Sequence, residues 1–405
     1  MKARRGSLSA LIAVTLLSTF ILVAPTASAQ GSTLVVQVGA PLFALPAAKG
    51  APADGMRFYA PALNVHQGDI LTFTFDGFHT ATLLPANIDA DTWAAANAIG
   101  FGKPYSFIMA DPDEGAAGAK GNPAVILPSQ LDCGSAADPC PYDGTGVVNS
   151  GIVDANDVQG TQPYRFSVEI NAAVGSSISG LCLIHLGMRV HISVVASSET
   201  TTTQEEIDAF AATKANHDAR VAHKLHVSLL ASTANQDGGV VDAYAGYDGP
   251  HVSLDQMYPS KIKLQKGQEV SWHFDQLLYE DHTVTFPSKK GLKIASNVFF
   301  PPVCDPDGDS GTAPDEPWNP DATTVAEVCP GGVSQIEFDI DPRFGPPAGD
   351  GEVTSTKDFE SSGVEGANAG VTLPFTLRFT TKTENNPYTF ICLIHPFMHG
   401  KVVVG

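Results

Sequence analysis

Tyr388-Thr389-Phe390-Ile391-Cys392-Leu393-Ile394-His395-Pro396-Phe397-Met398-His399-Gly400 leads into the apolar segment Lys401 to Val404 at the C-terminus. Its centre, Cys392-Leu393-Ile394-His395, occurs a second time, letter for letter, as Cys182-Leu183-Ile184-His185, and in each copy a methionine follows three residues after the histidine, Met398 and Met188. Further back, each copy is preceded by His-Thr-x-Thr: His79-Thr80-Ala81-Thr82 in one and His282-Thr283-Val284-Thr285 in the other. Earlier still, Tyr59 to Gly68 lines up without a gap on Tyr258 to Gly267. The chain is a duplication, and repetition on this scale settles the organisation before any single segment is read.

Within each copy, short runs rich in Val, Thr, Phe and Ile are separated by Gly, Pro, Asp and Ser: Leu34 to Val38, Ile70 to Phe75, His191 to Val195, Leu225 to Leu229, Val270 to Phe274, Phe375 to Thr380 and Lys401 to Val404. Alternation in Thr72-Phe73-Thr74-Phe75 and Phe375-Thr376-Leu377-Arg378-Phe379 suits strands with one face on a core. The pattern predicts an all-β protein of two tandem sandwiches. Between them, a Ser/Thr-rich stretch (197–203) precedes Ile207, Phe210, Ala211 and Val221 at helical spacing, with Thr203 and Glu206 placed as a capping box. This predicts a helix over 204–222 that either packs on a domain or serves as an exposed linker. The expected boundaries are a first domain over 30–200, a joint over 201–223 and a second domain over 224–405.

Residues 1–29 read as a secretory signal peptide: Lys2, Arg4 and Arg5, an apolar run from Leu8 to Ala24, then Ala27-Ser28-Ala29. An N-terminal membrane anchor is the alternative, and the Arg4-Arg5 pair leaves the export route open. No later run reaches the ~18 apolar residues of a membrane span. The expected location is therefore secreted, periplasmic or cell-surface. The formal charge of the 405-residue chain is −20. That excludes nucleic acid and anionic lipid as partners.

Six cysteines divide three and three between the copies. In an oxidising compartment two of each three can pair, Cys133 with Cys140 and Cys304 with Cys329, leaving Cys182 and Cys392 as thiols. The paired cysteines fall in long Gly/Pro/Asp-rich insertions between the early histidine and the late cysteine, which the bridges would pin.

A soft thiolate, two imidazoles and a weak thioether form the donor set that suits copper in both of its common oxidation states. Each copy offers that set: His79, Cys182, His185 and Met188 in the first, and His282, Cys392, His395 and Met398 in the second. At these residues the chain resembles the cupredoxins. The Cys-x-x-His-x-x-Met loop is similar to that of amicyanin, and the early strand with its histidine resembles plastocyanin. The resemblance spans about 33–196 and about 224–405, and implies two Greek-key sandwiches, each with one type 1 (blue) copper site. The first copy departs from the pattern, with Gly180 in place of the aromatic, Leu186 for Pro396 and Arg189-Val190 for His399-Gly400. Thr80 and Thr283, just after the early histidines, either tie the strand to the cysteine loop or are ordinary strand formers.

The implied function is electron transfer by Cu(I)/Cu(II) cycling, with a redox partner protein that the acidic surface would favour being basic. Apolar residues beside His185 and His395 would form the docking rims. Copper capture or delivery, or a scaffold with one degenerate site, are the alternatives. The twelve histidines contain no His-x-His pair of the kind that holds a multicopper oxidase cluster, so the chain is expected not to be an enzyme. The eight histidines outside the ligand sets are expected to be solvated or strand-face residues.

Overall fold

The computed structural model describes residues 31–99, 103–110, 119–130, 132–154, 165–233, 239–296, 303–304, 316–317, 336–337, 343–366, 373–383 and 386–405. The signal peptide expected over 1–29 lies outside them. Among the described residues no helix is long and apolar enough to cross a membrane.

In the first half the strands are β1 (Thr33–Ala40), β2 (Ala53–Phe58), β3 (Leu63–Val65), β4 (Ile70–Phe75), β5 (Arg165–Ile170), β6 (Ser177–Leu181) and β7 (Arg189–Val194). The second half repeats them as β8 (Val240–Gly249), β9 (Val252–Tyr258), β10 (Lys261–Leu264), β11 (Glu269–His273), β12 (Phe375–Phe379), β13 (Tyr388–Ile391) and β14 (His399–Val404). β1 runs parallel to β4 and antiparallel to β2, and β8 stands in the same relations to β11 and β9. A second sheet in each half is built on β6-β7-β3 or β13-β14-β10. These are two tandem cupredoxin-like β-sandwiches.

Alternation drives the strands inward on one side: Leu34, Val36 and Val38 of β1, Leu71 and Phe73 of β4, and Ile192 and Val194 of β7 are buried. The second core is more aromatic, with Trp272 meeting Phe286 (5.6 Å between ring centres) and Phe390 (5.4 Å) edge to face. Each such side chain contributes roughly 1.5–3 kcal/mol by leaving water. The corners repeat as well, since Gly68 and Gly267 follow β3 and β10 at φ +90° and +88°, a conformation that favours glycine.

The halves are fused. β2 pairs antiparallel with β9 through Gly55–Val252, Asp54–Ser253 and Ala53–Leu254. One ten-stranded sheet results, ordered Glu352–Val353, β12, β11, β8, β9, β2, β1, β4, β5, Cys140–Tyr142.

The joint helix spans Gln204–Ser232, 29 residues, and opens with the Thr203/Glu206 capping box. It runs past the expected end at 222 and takes in Leu225–Leu229, which composition had suggested as strand. The physical reason is periodicity: Ala211, Ala215, Ala219, Ala222, Leu225 and Leu229 continue one apolar stripe at helical spacing and pack on Ala53, Tyr59, Leu254 and Tyr258 over the seam. Asp218, fully buried, accepts from Arg57 Nε (2.8 Å) and Nη2 (3.1 Å), pinning the helix to β2. Packing, rather than service as an exposed linker, is thus the helix's role.

Cys133 and Cys140 form a disulfide, whereas the expected Cys304–Cys329 pairing lies outside the described residues. The insertions are more than excursions, because each returns a strand to the sandwich. Val148–Asn149 pairs with Thr82–Leu83, and Glu360–Ser361 pairs with Thr285–Phe286. Ser150 Oγ accepts from Ala81 N–H and Ser362 Oγ from Val284 N–H, both at 2.9 Å. The duplication therefore extends into the insertions, through Ser150-Gly151 and Ser362-Gly363.

Candidate metal centres

Each early histidine is carried on backbone that an insertion holds from the other side. His79 pairs with Val153, and His282 exchanges both backbone hydrogen bonds with Glu365 (2.8 and 3.0 Å). Behind each ring lies a glycine at positive φ, Gly39 or Gly246. A Cβ there would sit 2.3 or 2.2 Å from the histidine Nε2, so only glycine leaves room for the imidazole.

The late donors come from the loop between the last two strands. Met188 N–H donates to His185 O (2.9 Å) and Met398 N–H to His395 O (2.8 Å), while Cys182 and Cys392 N–H donate to Met188 O and Met398 O. These turns aim the cysteine and the late histidine toward the early histidine. In the first half His79 Nδ1 and His185 Nδ1 are 2.9 Å apart, with Cys182 Sγ 3.7 Å from His185 Nδ1. In the second, His282 Nδ1 and His395 Nδ1 are 3.0 Å apart, and Cys392 Sγ lies 3.7 and 3.9 Å from them. A transition metal ~2.0 Å from nitrogen and ~2.3 Å from sulfur would hold its donors about this far apart. Among the described residues these two His/Cys/His clusters are the groups whose ligand atoms converge to within 4.8 Å of one another. Met188 and Met398 are buried in the same cores as the two cysteines. Two imidazoles, a thiol and a buried thioether fit copper.

The threonine after each early histidine bonds to the loop twice. Thr80 N–H donates to Cys182 Sγ (3.3 Å) and its Oγ1 accepts from Leu183 N–H (2.8 Å). Thr283 does the same with Cys392 Sγ (3.4 Å) and Leu393 N–H (2.7 Å). Cys392 Sγ also accepts from His395 N–H at 3.4 Å.

The departures of the first copy turn out to be compensated. Gly180 lies opposite Val190, and Phe390 lies opposite Gly400. A Cβ on Gly180 would come within 2.6 Å of Val190, and one on Gly400 within 2.4 Å of the Phe390 ring. Large and small have changed places across one strand pair, leaving the volume filled in both. Leu186 and Gly187 replace Pro396 and Phe397 for another reason. The ring of Tyr279, from the second half, packs on Gly187, where a Cβ would lie 2.5 Å away.

Tyr279 brings Glu280 with it, a residue that the sequence reading did not single out. Glu280 Oε1 is 3.0 Å from His185 Nε2, and Oε2 is 3.5 Å from His395 Nε2. Burial works against the charge on Glu280, but the nearby imidazoles, His185 foremost with His395 and His282, together more than reverse this and hold the carboxyl well below the usual range. At His185 burial likewise opposes the proton, but Glu280 and the Cys182 sulfur together outweigh it and raise the ring well above its ordinary value. His395, farther from the carboxylate, is lowered by burial. Burial raises the Cys182 thiol, yet the imidazoles of His185 and His79 together override this and hold it well down. Burial pushes the Cys392 thiol up to about 11. The two centres share a donor set and differ in electrostatic surroundings.

His185 is almost fully covered, its side chain 4% exposed, against 17% for His395. Beside His395, Phe397 is 65% exposed. Of the remaining histidines, His226 Nδ1 meets Tyr258 Oη at 2.8 Å and His273 Nε2 meets Asp242 at 2.8 Å.

No protein-family model matches the chain, and no curated protein matches it. Solved structures do. Plastocyanin from Dryopteris crassirhizoma aligns at 15% identity and a TM-score of 0.16 over 40% of this chain and 99% of its own. Copper-containing nitrite reductase from Thermus scotoductus aligns at 11% identity and a TM-score of 0.18 over 92% of this chain and 67% of its own. Copper nitrite reductase from Nitrosomonas europaea aligns at 9% identity and a TM-score of 0.18 over 92% of this chain and 93% of its own. One expectation is corrected here. Proteins that align along nine-tenths of the chain include copper enzymes, so the exclusion of enzyme activity from the missing His-x-His pairs does not stand.

Proposed function

We propose that the chain is an exported copper protein with one type 1 centre in each half, and that it acts in electron transfer by Cu(I)/Cu(II) cycling. The ligands are His79, Cys182, His185 and Met188 in one centre, and His282, Cys392, His395 and Met398 in the other. The observation that carries this reading is the convergence, twice over, of two imidazole Nδ1 atoms and one buried cysteine Sγ. Bound copper would supply a one-electron couple. The protein's own part is to keep the donors in one arrangement for both oxidation states, which the threonine bonds, the buried cysteines and the closely packed glycines favour.

The exposed Phe397 and the partly accessible His395 edge, more open than that of His185, support docking of a redox partner at the second centre. With a formal charge of −20, a basic partner would associate at a rate that falls as salt rises. Visible absorption of single-site variants tests the ligand assignment. Cys392→Ser is expected to remove the thiolate-to-copper band of the second centre and keep that of the first, and Cys182→Ser the reverse. Colour retained in the double variant would overturn it.

A further inference from the structure

The two copies differ in one place that bears directly on both centres. His79 stands four positions after Phe75, whereas His282 stands eight positions after the corresponding Phe274. The additional length carries Leu278, Tyr279 and Glu280 into the region where the halves meet. Nothing in this turn is left to chance. Asp248, buried at the end of β8, accepts on Oδ2 from Leu278 N–H (2.6 Å), Tyr279 N–H (2.7 Å) and Glu280 N–H (3.4 Å). The Tyr279 hydroxyl accepts from His251 N–H (3.0 Å), and its ring lies on Gly187 of the first half's ligand loop. Backbone and side chain are thus both fixed, and Glu280 extends from a held turn.

Its carboxylate has two oxygens, and each faces a different centre: His185 Nε2 at 3.0 Å and His395 Nε2 at 3.5 Å. In both rings the other nitrogen, Nδ1, faces the opposing histidine and the cysteine sulfur. An imidazole that gives its Nδ1 lone pair to a metal carries its proton on Nε2, where a carboxylate fixes the ring's tautomer and orientation.

We propose that Glu280 is a positioning residue shared by the two metal centres, accepting the Nε2–H of His185 on one oxygen and that of His395 on the other. The inference rests on the copper reading above. One negative charge then lies against both centres and favours Cu(II), the more positive state, in each couple Cu(II) + e⁻ ⇌ Cu(I). Removing that charge while keeping the side chain's shape raises both reduction potentials together. The shorter contact makes the effect larger at the first centre.

The test is a redox titration of the copper-loaded full chain against a one-electron mediator, followed in the visible band. Cys182→Ser and Cys392→Ser backgrounds serve to assign each centre. In Glu280→Gln both Cu(I)/Cu(II) equilibria are expected to move toward Cu(I), by on the order of tenfold at the first centre, which is about 59 mV for a one-electron couple. The shift at the second is expected to be smaller and of the same sign. A shift at one centre alone, or at neither, overturns the sharing. A wild-type chain that takes up copper without colour overturns the copper reading instead, before any variant is made. A second readout needs no substitution. In the Cu(I)-loaded wild type with ¹⁵N-labelled histidine, the Nε2–H protons of His185 and His395 are both expected to exchange slowly with solvent. Rapid exchange at His395 would contradict the bridge.

Discussion

Thr80 and Thr283 each join two ends of a centre with a single short side chain, so their hydroxyls are the cleanest residue-scale probe. Thr283→Ala leaves the Leu393 N–H without its acceptor, a loss of about 1–3 kcal/mol for a buried donor. It is also expected to weaken copper binding at the second centre by roughly 10–100-fold. Thr283→Ser should restore most of both. Competition titration against a chelator checks this, and equal affinities in all three proteins would contradict the role. Asp255 makes a different prediction. Burial, with the neighbouring Asp54 carboxylate adding to it, raises the Asp255 carboxyl well above 3.8, and burial raises Asp54 to about 6. A carboxyl whose folded value is raised binds its proton more tightly in the native state. Its stabilising contribution is complete below the unfolded value and is lost as pH rises through the folded one. Asp255→Asn, which can still accept from Ser253 Oγ, is therefore expected to raise Tm at pH 7.5 and to leave it nearly unchanged at pH 4. A larger gain at pH 4 would show the sign to be wrong.

At the scale of elements, the joint helix shows where reading the sequence succeeds and where it stops. Its start was legible because the capping box is a local signal, complete within Thr203–Glu206. Its end was not, since Val227, Leu229 and Leu230 have the composition of a strand, and only the seam beneath the helix selects the helical period. The strands and ligand loops were legible for the opposite reason: the duplication displays each of them twice. The helix is tied to β2 by the Arg57–Asp218 pair, with side-chain exposures of 13% and 0%. Asp218→Ala strands a largely buried guanidinium and is expected to cost about 3–5 kcal/mol, measurable by urea unfolding. A change under 1 kcal/mol would mean that the apolar stripe alone holds the helix.

Across the whole molecule, the β2–β9 ladder and the helix over it make the two sandwiches one body, and calorimetry is expected to show a single unfolding transition, where two well-separated transitions would contradict the fusion. Glu280 belongs to this scale, which explains why sequence reading missed it. Nothing local marks the residue, and its meaning depends on two centres whose cysteines stand 210 positions apart in the chain, at Cys182 and Cys392, being brought to one seam. The unequal spacing before the two early histidines was the available signal. The compensated exchange of Gly180/Val190 for Phe390/Gly400 was hidden similarly, because one half of each swap reads as degeneration until the strands are paired. The proposed function rests on two copper centres of one kind. The most direct test is copper content per chain, measured with the electron paramagnetic resonance spectrum of the oxidised protein. Two coppers per chain, both with the small hyperfine splitting of thiolate-bound type 1 copper, are the expected result; one copper, or a spectrum without that splitting, would contradict it.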